Sequence, residues 1–411
     1  MDNRLYWIWL QQALGCGNPH SGTLISLFSR PENLYQASKR QLQDAGLKGV
    51  TLERLTEKSL DQAGHILTQM QKIGGWILTP DDAYYPNLLR GIYGLPLVLY
   101  GLGEMPNMDE RPSFGIVGTR HPSTYGYRSA TYIASGIAAG GMIVISGGAV
   151  GVDAAAHHAA MDASGCTVAV QACGLDISYP AENEPMRNRI LSSGGAVITE
   201  YPLSTPPAKH HFPLRNRIIS GLSLGVCVVE APARSGALIT ARYAREQGRD
   251  IFAVPADITS YSSSGSNTLI QNGSQLAKNG VDILREYSDR FGSILNIKKA
   301  EAIPFPSNQV AAERHDRFMK NSQSKGKRSP VKANGLKEPV RPVAVKPPCP
   351  DGVSEDAAKI YAVMTDQPQP IDEISAKLEM ATSRVMVALT ELELFGCIHS
   401  CAGQQYQINT K

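Results

Sequence analysis

The stretch Met142-Ile143-Val144-Ile145-Ser146-Gly147-Gly148-Ala149-Val150-Gly151-Val152-Asp153 decides the fold. Residues 142–145 are apolar throughout and read as a buried strand, and a glycine-rich loop then leads into a helix expected over 153–161. The same unit recurs on either side. A strand at 114–117 ends in Val117-Gly118-Thr119-Arg120 and is followed by a helix at 127–139. Further strands are expected at 167–170, 196–200, 226–230 and 251–254, with a helix at 236–247 between the last two. Apolar strands alternating with helices predict an α/β fold, a Rossmann-like parallel sheet covered on both faces.

The flanks read differently. Leu10, Leu14, Leu24, Leu27, Leu42, Leu55 and Ile66 recur at roughly helical spacing, so residues 1–73 form a small helical domain. Its Gly15-Cys16-Gly17-Asn18 fits the turn of a helix-hairpin-helix (SAM-like) unit and equally a plain helical bundle. Helices expected at 355–364, 371–378 and 382–395, then an alternating hairpin at 397–408, outline a C-terminal winged-helix domain. The expected division is 1–73 helical, 74–292 core, 293–352 linker and 353–411 winged helix.

The 411 residues carry 40 basic and 37 acidic side chains and are 42% hydrophobic, which excludes a disordered or fibrous chain. Residues 298–346 hold 12 Lys/Arg against 4 Asp/Glu, a surplus of +8, so the rest carries 3 − 8 = −5. Prolines crowd the same segment, including Lys325-Gly326-Lys327-Arg328-Ser329-Pro330. It reads as a flexible basic spacer or as a tail with nonspecific attraction for nucleic acid. The winged helix is acidic instead, which leaves groove reading and protein docking both open. Seven scattered cysteines without a Cys-x-x-Cys pair argue for reduced thiols in a cytoplasmic protein rather than disulfides or zinc. The first residues are too short an apolar patch for a signal peptide, and no membrane span is expected.

In a parallel sheet, ligands gather beyond the carboxyl ends of the strands. Gly118, Thr119 and Arg120 offer close backbone approach, a hydroxyl and a planar fork for phosphate. Ser146, Gly147, Gly148 and Gly151 form a second loop whose amides can point at one anion. Asp153 is expected to cap the following helix or to orient Arg120. The stretch from Lys209 through Phe212 to Arg215-Asn216-Arg217 interleaves cations with an aromatic ring, as single-strand nucleic-acid sites do. On a helix, Arg215 and Arg217 would face apart, and one of them could be a structural ion-pair partner. Ser235 and Gly236 start another helix, either an anion site or an ordinary cap. Tyr179, Tyr201 and Phe212 are candidate stacking rings, or core.

Rival chemistries lack their parts. Gly101-Leu102-Gly103 lacks the third glycine of a dinucleotide fingerprint, and no P-loop occurs. Gly221-Leu222-Ser223-Leu224-Gly225 has the letters of a nucleophile elbow, but its strand follows the serine instead of preceding it. His157-His158 and His210-His211 have no partner at ligand spacing, so neither metal nor cofactor is expected.

Taken together, Val117-Gly118-Thr119-Arg120, Ser146-Gly147-Gly148-Ala149, Gly151-Val152-Asp153 and Glu200-Tyr201-Pro202 resemble the DNA-processing protein A (DprA/Smf) family. So do Phe212-Pro213, Arg215-Asn216-Arg217-Ile218-Ile219-Ser220-Gly221-Leu222, Glu230-Ala231, Ser235-Gly236-Ala237-Leu238-Ile239-Thr240-Ala241 and Gly265-Ser266-Asn267. The resemblance is dense over residues 75–285. It implies a non-enzymatic single-stranded DNA-binding protein of natural transformation that protects incoming strands and loads the RecA recombinase. It implies a homodimer, with single-strand-binding protein as a further partner. Gly118, Thr119, Arg120, Ser146, Gly147 and Gly148 would hold phosphate, with Lys209, Arg215 and Arg217 on the same basic face and Asn216 in support. Two departures stand out: Ala256 replaces the family's usual Gly, and Gly15-Cys16-Gly17 resembles a degenerate form of its N-terminal hairpin.

Two rival readings fit the sequence less well. Nucleoside monophosphate phosphoribohydrolases share a similar phosphate loop, but their Pro-Gly-Gly-x-Gly-Thr-x-x-Glu signature meets Thr240 here instead of the carboxylate. A protein-only scaffold leaves the phosphate loops without a purpose.

Overall fold

The structure is a computed structural model and describes residues 2–307, 353–365, 369–378, 380–395, 397–401 and 405–408. The chain divides into two compact units, Met1–Arg328 and Ser329–Lys411. The first begins with six helices: α1 (Arg4–Leu14), α2 (Ser21–Phe28), α3 (Pro31–Gln36), α4 (Lys39–Asp44), α5 (Gly49–Thr56) and α6 (Asp61–Lys72). Trp7, Ile8, Leu10, Leu42 and Leu55 turn inward and are almost fully buried. Each large apolar side chain so buried contributes about 1.5–3 kcal/mol. Their cluster continues without a break into Ile143, Val170 and Val226 of the sheet, so the helical N-terminus shares its core with the sheet.

The sheet has nine strands: β1 (Trp76–Leu78), β2 (Leu99–Gly103), β3 (Ser113–Val117), β4 (Ile143–Ser146), β5 (Thr167–Gln171), β6 (Ala196–Thr199), β7 (Gly225–Val228), β8 (Asp250–Ala253) and β9 (Gln275–Leu276). Their order is β1-β2-β6-β5-β4-β3-β7-β8-β9, parallel from β6 to β9 and antiparallel at β1 and β2. Between and after the strands lie α7 (Asn87–Arg90), α8 (Thr124–Ala139), α9 (Val152–Asp162), α10 (Glu184–Ser192), α11 (His211–Gly221), α12 (Gly236–Glu246), α13 (Ser264–Gln271), α14 (Gly280–Glu286), α15 (Ser288–Phe291) and α16 (Ile297–Glu301). Alternate residues of one strand serve opposite faces. Ile143 and Ile145 join the cluster with the N-terminal helices, while Val144, Phe114 and Ile116 join α8 and α14. Burial on both sides explains why the strands are apolar throughout.

Residues 293–307 were expected to begin a flexible linker, yet they lie on the core. Ala300 of α16 is buried, the Phe305 ring meets Tyr132 edge-on at 4.9 Å, and Arg128 covers Phe305 at 4.7 Å. Leu295, Ile297 and Ala300 supply the apolar anchor that the basic composition obscured. The basic string at 325–330 lies outside the described residues.

The second unit is a winged helix: α17 (Glu355–Val363), β10 (Gln369–Pro370), α18 (Ile371–Leu378), α19 (Thr382–Leu394), β11 (Ile398–Cys401) and β12 (Gln405–Ile408), with sheet order β10-β12-β11. Its core gathers Ile360, Ile374, Val385, Leu389 and Leu392. Each described Lys or Arg is matched to an acid: Lys359 to Glu355, Lys377 to Glu373 and Arg384 to Asp356, all at 2.7 Å. Such exposed pairs add little stability, but they leave α19 without an unpaired described cation for a groove.

His157 on α9 generates a prediction. Its Nδ1 lies 2.7 Å from the Thr167 hydroxyl, which itself donates to the Val144 carbonyl at 2.8 Å, so Nδ1 carries the proton. Burial, with His158 and Arg215 nearby, pushes the imidazole down to about 3 from an ordinary 6.5. Between those values the unfolded chain binds the proton and the folded chain does not, so stability falls as pH falls. Denaturant melts from pH 6.5 downward should lose about 1.4 kcal/mol per pH unit from this group. His157→Asn, which keeps an N–H for Thr167, should flatten that slope.

Candidate functional site

The strand order reverses at β3. The chain runs β3, β4, β5, β6 in one direction, and α11 then carries it back to β7 on the other side of β3. The connecting loops part there and leave a crevice beyond the carboxyl ends of the strands. Two clefts occupy it. The larger, 400 Å³, is lined by Gly118, Thr119, Arg120, Asp153, Asn216, Arg234, Ser235 and Gly236. The second, 260 Å³, is lined by His121, Gly147, Gln171, Tyr179 and Glu182. Arg120, Phe212 and Arg215 line both.

The two glycine loops are built against each other. The Thr119 N–H donates to the Glu230 carbonyl at 2.7 Å, and the Thr119 carbonyl accepts the Val152 N–H at 3.1 Å. Gly151, with φ of 86°, sits so close to Thr119 and Arg120 that a Cβ would overlap their backbone. A Cβ on Gly147 would strike the Arg215 guanidinium and the Asp153 carboxylate. The Gly148 carbonyl accepts Asn183 Nδ2 at 2.9 Å. Ser146 departs from expectation: its hydroxyl is buried and donates to the Ile116 carbonyl at 2.6 Å, so it fastens β4 to β3 and does not face the cleft.

Arg215 and Arg217 separate, because two residues on a helix differ by about 200°. Arg215 forms the floor between the clefts, 5% exposed, with Nη1 donating to the Val170 carbonyl at 2.6 Å. Burial pushes its guanidinium down from the ordinary arginine range, and Asp153 opposes that push. Burial likewise pushes the Asp153 carboxyl up against the pull of Arg215 and of the Ala149 N–H at 3.3 Å. Asp153 thus holds the loop through the Ala149 N–H and sets a negative charge near Arg215, with the Ser146 hydroxyl also favouring its charged form; the cap position of α9 belongs to Gly151, and Arg120 is only a minor influence. Arg217 turns away from the basic face. It pairs with Glu200 at 2.5 Å, the two side chains 3% and 2% exposed, and takes the structural ion-pair role.

The remaining residues fall into place around this floor. Arg120 is exposed and stacks over the Phe212 ring at 5.1 Å, and the Tyr179 ring lies 5.7 Å from Phe212. Tyr201 belongs to the core, stacked on His211 at 4.1 Å. Lys209 is exposed just before α11 and lines neither cleft. Asn216 Nδ2 donates to the Gly236 carbonyl at 3.2 Å, and the Ser235 hydroxyl caps α12 by accepting the Ala237 N–H at 3.2 Å. The N-terminus of α12, with exposed Gly236 and Arg234, thus opens into the larger cleft. Thr240 stands there too, and among the described residues lining that cleft Asp153 is the one carboxylate.

Glu230 and Glu200 stand in the quoted motifs, but the sequence assigns neither a role. Glu230 accepts the Ser123 N–H and hydroxyl at 2.9 and 3.1 Å and the Ser262 hydroxyl, fixing the start of α8 behind the first glycine loop. Its place at the end of an apolar strand was the available signal. Among the described residues no group of three or more His, Cys, Asp or Glu gathers to hold a metal, and no helix is long and apolar enough to cross a membrane.

Comparison with known proteins agrees with this fold. Residues 76–288 match the family described as DNA recombination-mediator protein A, and residues 344–404 match the DprA winged helix domain. Protein Smf of Synechocystis is 31% identical over 416 residues, covering 99% of both chains. DNA processing protein DprA of Bacillus subtilis is 36% identical over 244 residues, 59% of this chain and 82% of that protein. The X-ray structure of DprA from Streptococcus pneumoniae aligns with a TM-score of 0.59 at 35% identity, covering 69% of this chain and 97% of the other. With just over half of its length matched by the family and an Smf relative alignable from end to end, the chain belongs to the DNA recombination-mediator protein A (DprA/Smf) family.

Proposed function

We propose that this chain is a DNA-processing protein of transformation that binds single-stranded DNA in the paired clefts, without catalysing a reaction. The observation that carries this is the shared wall of Arg120, Phe212 and Arg215: a cationic fork stacked on an aromatic ring, beside the open N-terminus of α12. Phosphate takes the guanidinium and amide donors, and a base has the Phe212 and Tyr179 rings to lie against. Neither contact depends on base identity. The larger cleft offers no pair of groups for acid–base work and no carboxylate where the phosphoribohydrolase signature has one, which favours binding over hydrolysis. The names of the relatives support the same reading.

The finer roles belong to this proposal: protecting incoming strands, loading RecA, working alongside single-strand-binding protein, and a cytoplasmic place of action. So does a homodimer. The edge strand β9 exposes both of its residues, Gln275 and Leu276, and a second copy pairing along that edge would extend the cationic track. The winged helix, its described cations already paired, is proposed to dock protein.

Arg120→Ala should weaken binding of labelled oligonucleotides of every sequence alike, by about 1.5–3 kcal/mol for one charged hydrogen bond. Its salt dependence in fluorescence anisotropy should flatten by about one phosphate. Affinity lost for one sequence alone would contradict the proposal. Gly147→Ala should weaken binding as well, since the added methyl must displace the Arg215 guanidinium. Removing residues 353–411 should leave single-strand affinity unchanged, which a groove-reading winged helix would not allow.

A further inference from the structure

We infer that the N-terminal glycine hairpin, acting through the buried Glu200–Arg217 pair, sets the position of Arg215 in the DNA cleft, and that Glu200 is a positioning residue for binding. The inference rests on the proposed single-strand binding by that cleft. In a helix-hairpin-helix turn the amides between the two helices are the groups that take a phosphate oxygen. Here the Gly17 N–H donates to a carboxylate of the same chain, Glu200 Oε1, at 3.2 Å. The Glu200 main-chain carbonyl accepts Gln11 Nε2 at 2.7 Å and the Cys16 thiol at 3.3 Å. The hairpin is therefore closed onto the core and is not presented to DNA.

The other Glu200 oxygen holds Arg217 Nη2 at 2.5 Å. Arg217 is seated tightly on its remaining sides. Gly17, at φ of 67°, lies so close that a Cβ would stand 3.2 Å from Arg217 Nε and 3.0 Å from Leu214. A Cβ on Gly94 would stand 3.4 Å from the same Nε. Buried Nε and Nη1 of Arg217 have no hydrogen-bond partner among the described residues, so Glu200 is the anchor of that guanidinium. Tyr201, the residue after Glu200, stacks on His211 in the first turn of α11. Gln247 Nε2 ties the Arg217 carbonyl to the end of α12 at 2.9 Å.

These contacts fix both the rotation and the register of α11, the helix that carries Phe212 and Arg215 into the clefts. Arg215 has little freedom of its own, since its guanidinium fits where Gly147 lacks a side chain. A small rotation of α11 that relaxed Arg217 would lift Arg215 from that seat.

The sign of one substitution tests this. Glu200→Gln keeps the side-chain volume and an acceptor for Gly17 but removes a negative charge near a DNA site. Simple electrostatics predicts tighter binding for that change. Positioning predicts weaker binding, about tenfold or more as for one lost charge-assisted contact, with a flatter salt dependence. In an Arg215→Ala background Glu200→Gln should then add nothing, because both act through one contact. Unchanged or tighter binding of the full chain, or an additive loss, would overturn the inference. Glu200→Asp, which retains the charge, should fall between parent and Glu200→Gln, and thermal melting of each variant guards against misfolding.

Amide hydrogen exchange on the free protein separates this inference from the DNA reading. Glu200→Gln should speed exchange at residues 147–150, which seat Arg215, as well as at 11–17. Faster exchange confined to 11–17 overturns the positioning role whatever the protein binds. If Arg120→Ala and Arg215→Ala bind DNA like the parent, the DNA reading fails while exchange at 147–150 still decides the coupling.

Discussion

A guanidinium only 5% exposed is expensive to bury, and Arg215 is the group on which the crevice depends. Val170 at the end of β5 accepts a hydrogen bond from it, Asp153 at the start of α9 supplies a nearby negative charge and Gly147 room, while its Nε has no hydrogen-bond partner among the described residues. Gly147 and Asp153 belong to the one connection between β4 and α9, Val170 to β5 and Arg215 itself to α11, so seating one side chain aligns three parts of the fold. The glycines of the second loop are therefore not merely flexible. Gly147 is absent side chain filled by a cation, and Gly151 lets the first loop press against the second.

The charge plan follows from the same seat. A buried arginine fixes a positive floor at the point where the strand order reverses, while Arg120 and Arg234 stay exposed above it. Phe212 holds Arg120 over its face, which orients a long flexible side chain without spending its hydrogen-bond donors. In the proposed function, a polymer of regular charge and variable bases would meet phosphate donors and a ring there. The winged helix shows the opposite plan, with each described cation matched to an acid of its own surface.

Much of this was legible before any coordinates. Six strands were visible because burial on both faces makes them apolar throughout, and the glycine loops stood where such strands end. The strands β1, β2 and β9 were not: β1 and β9 are edge strands of three and two residues, and β2, antiparallel between β1 and β6, carries two glycines. Helical geometry indicated that Arg215 and Arg217 part company, but only the position of Glu200 decides which of them goes inward to a structural partner. Ser146 looked like a phosphate donor because its neighbours are glycines; the last residue of a central strand has a neighbouring carbonyl within reach instead. The start of the basic segment reads as linker for a related reason: its anchors, Leu295, Ile297, Ala300 and Phe305, stand isolated among lysines and prolines.

On the proposed function, single-strand affinity resides in the crevice of the sheet domain. Fluorescence anisotropy of a labelled oligonucleotide with residues 1–307 alone, single against double strands across a salt series, tests it most directly. This account predicts salt-dependent binding that prefers single strands, without the basic segment or the winged helix. No binding at low salt would contradict it and would move the DNA contact to the chain beyond Ser307.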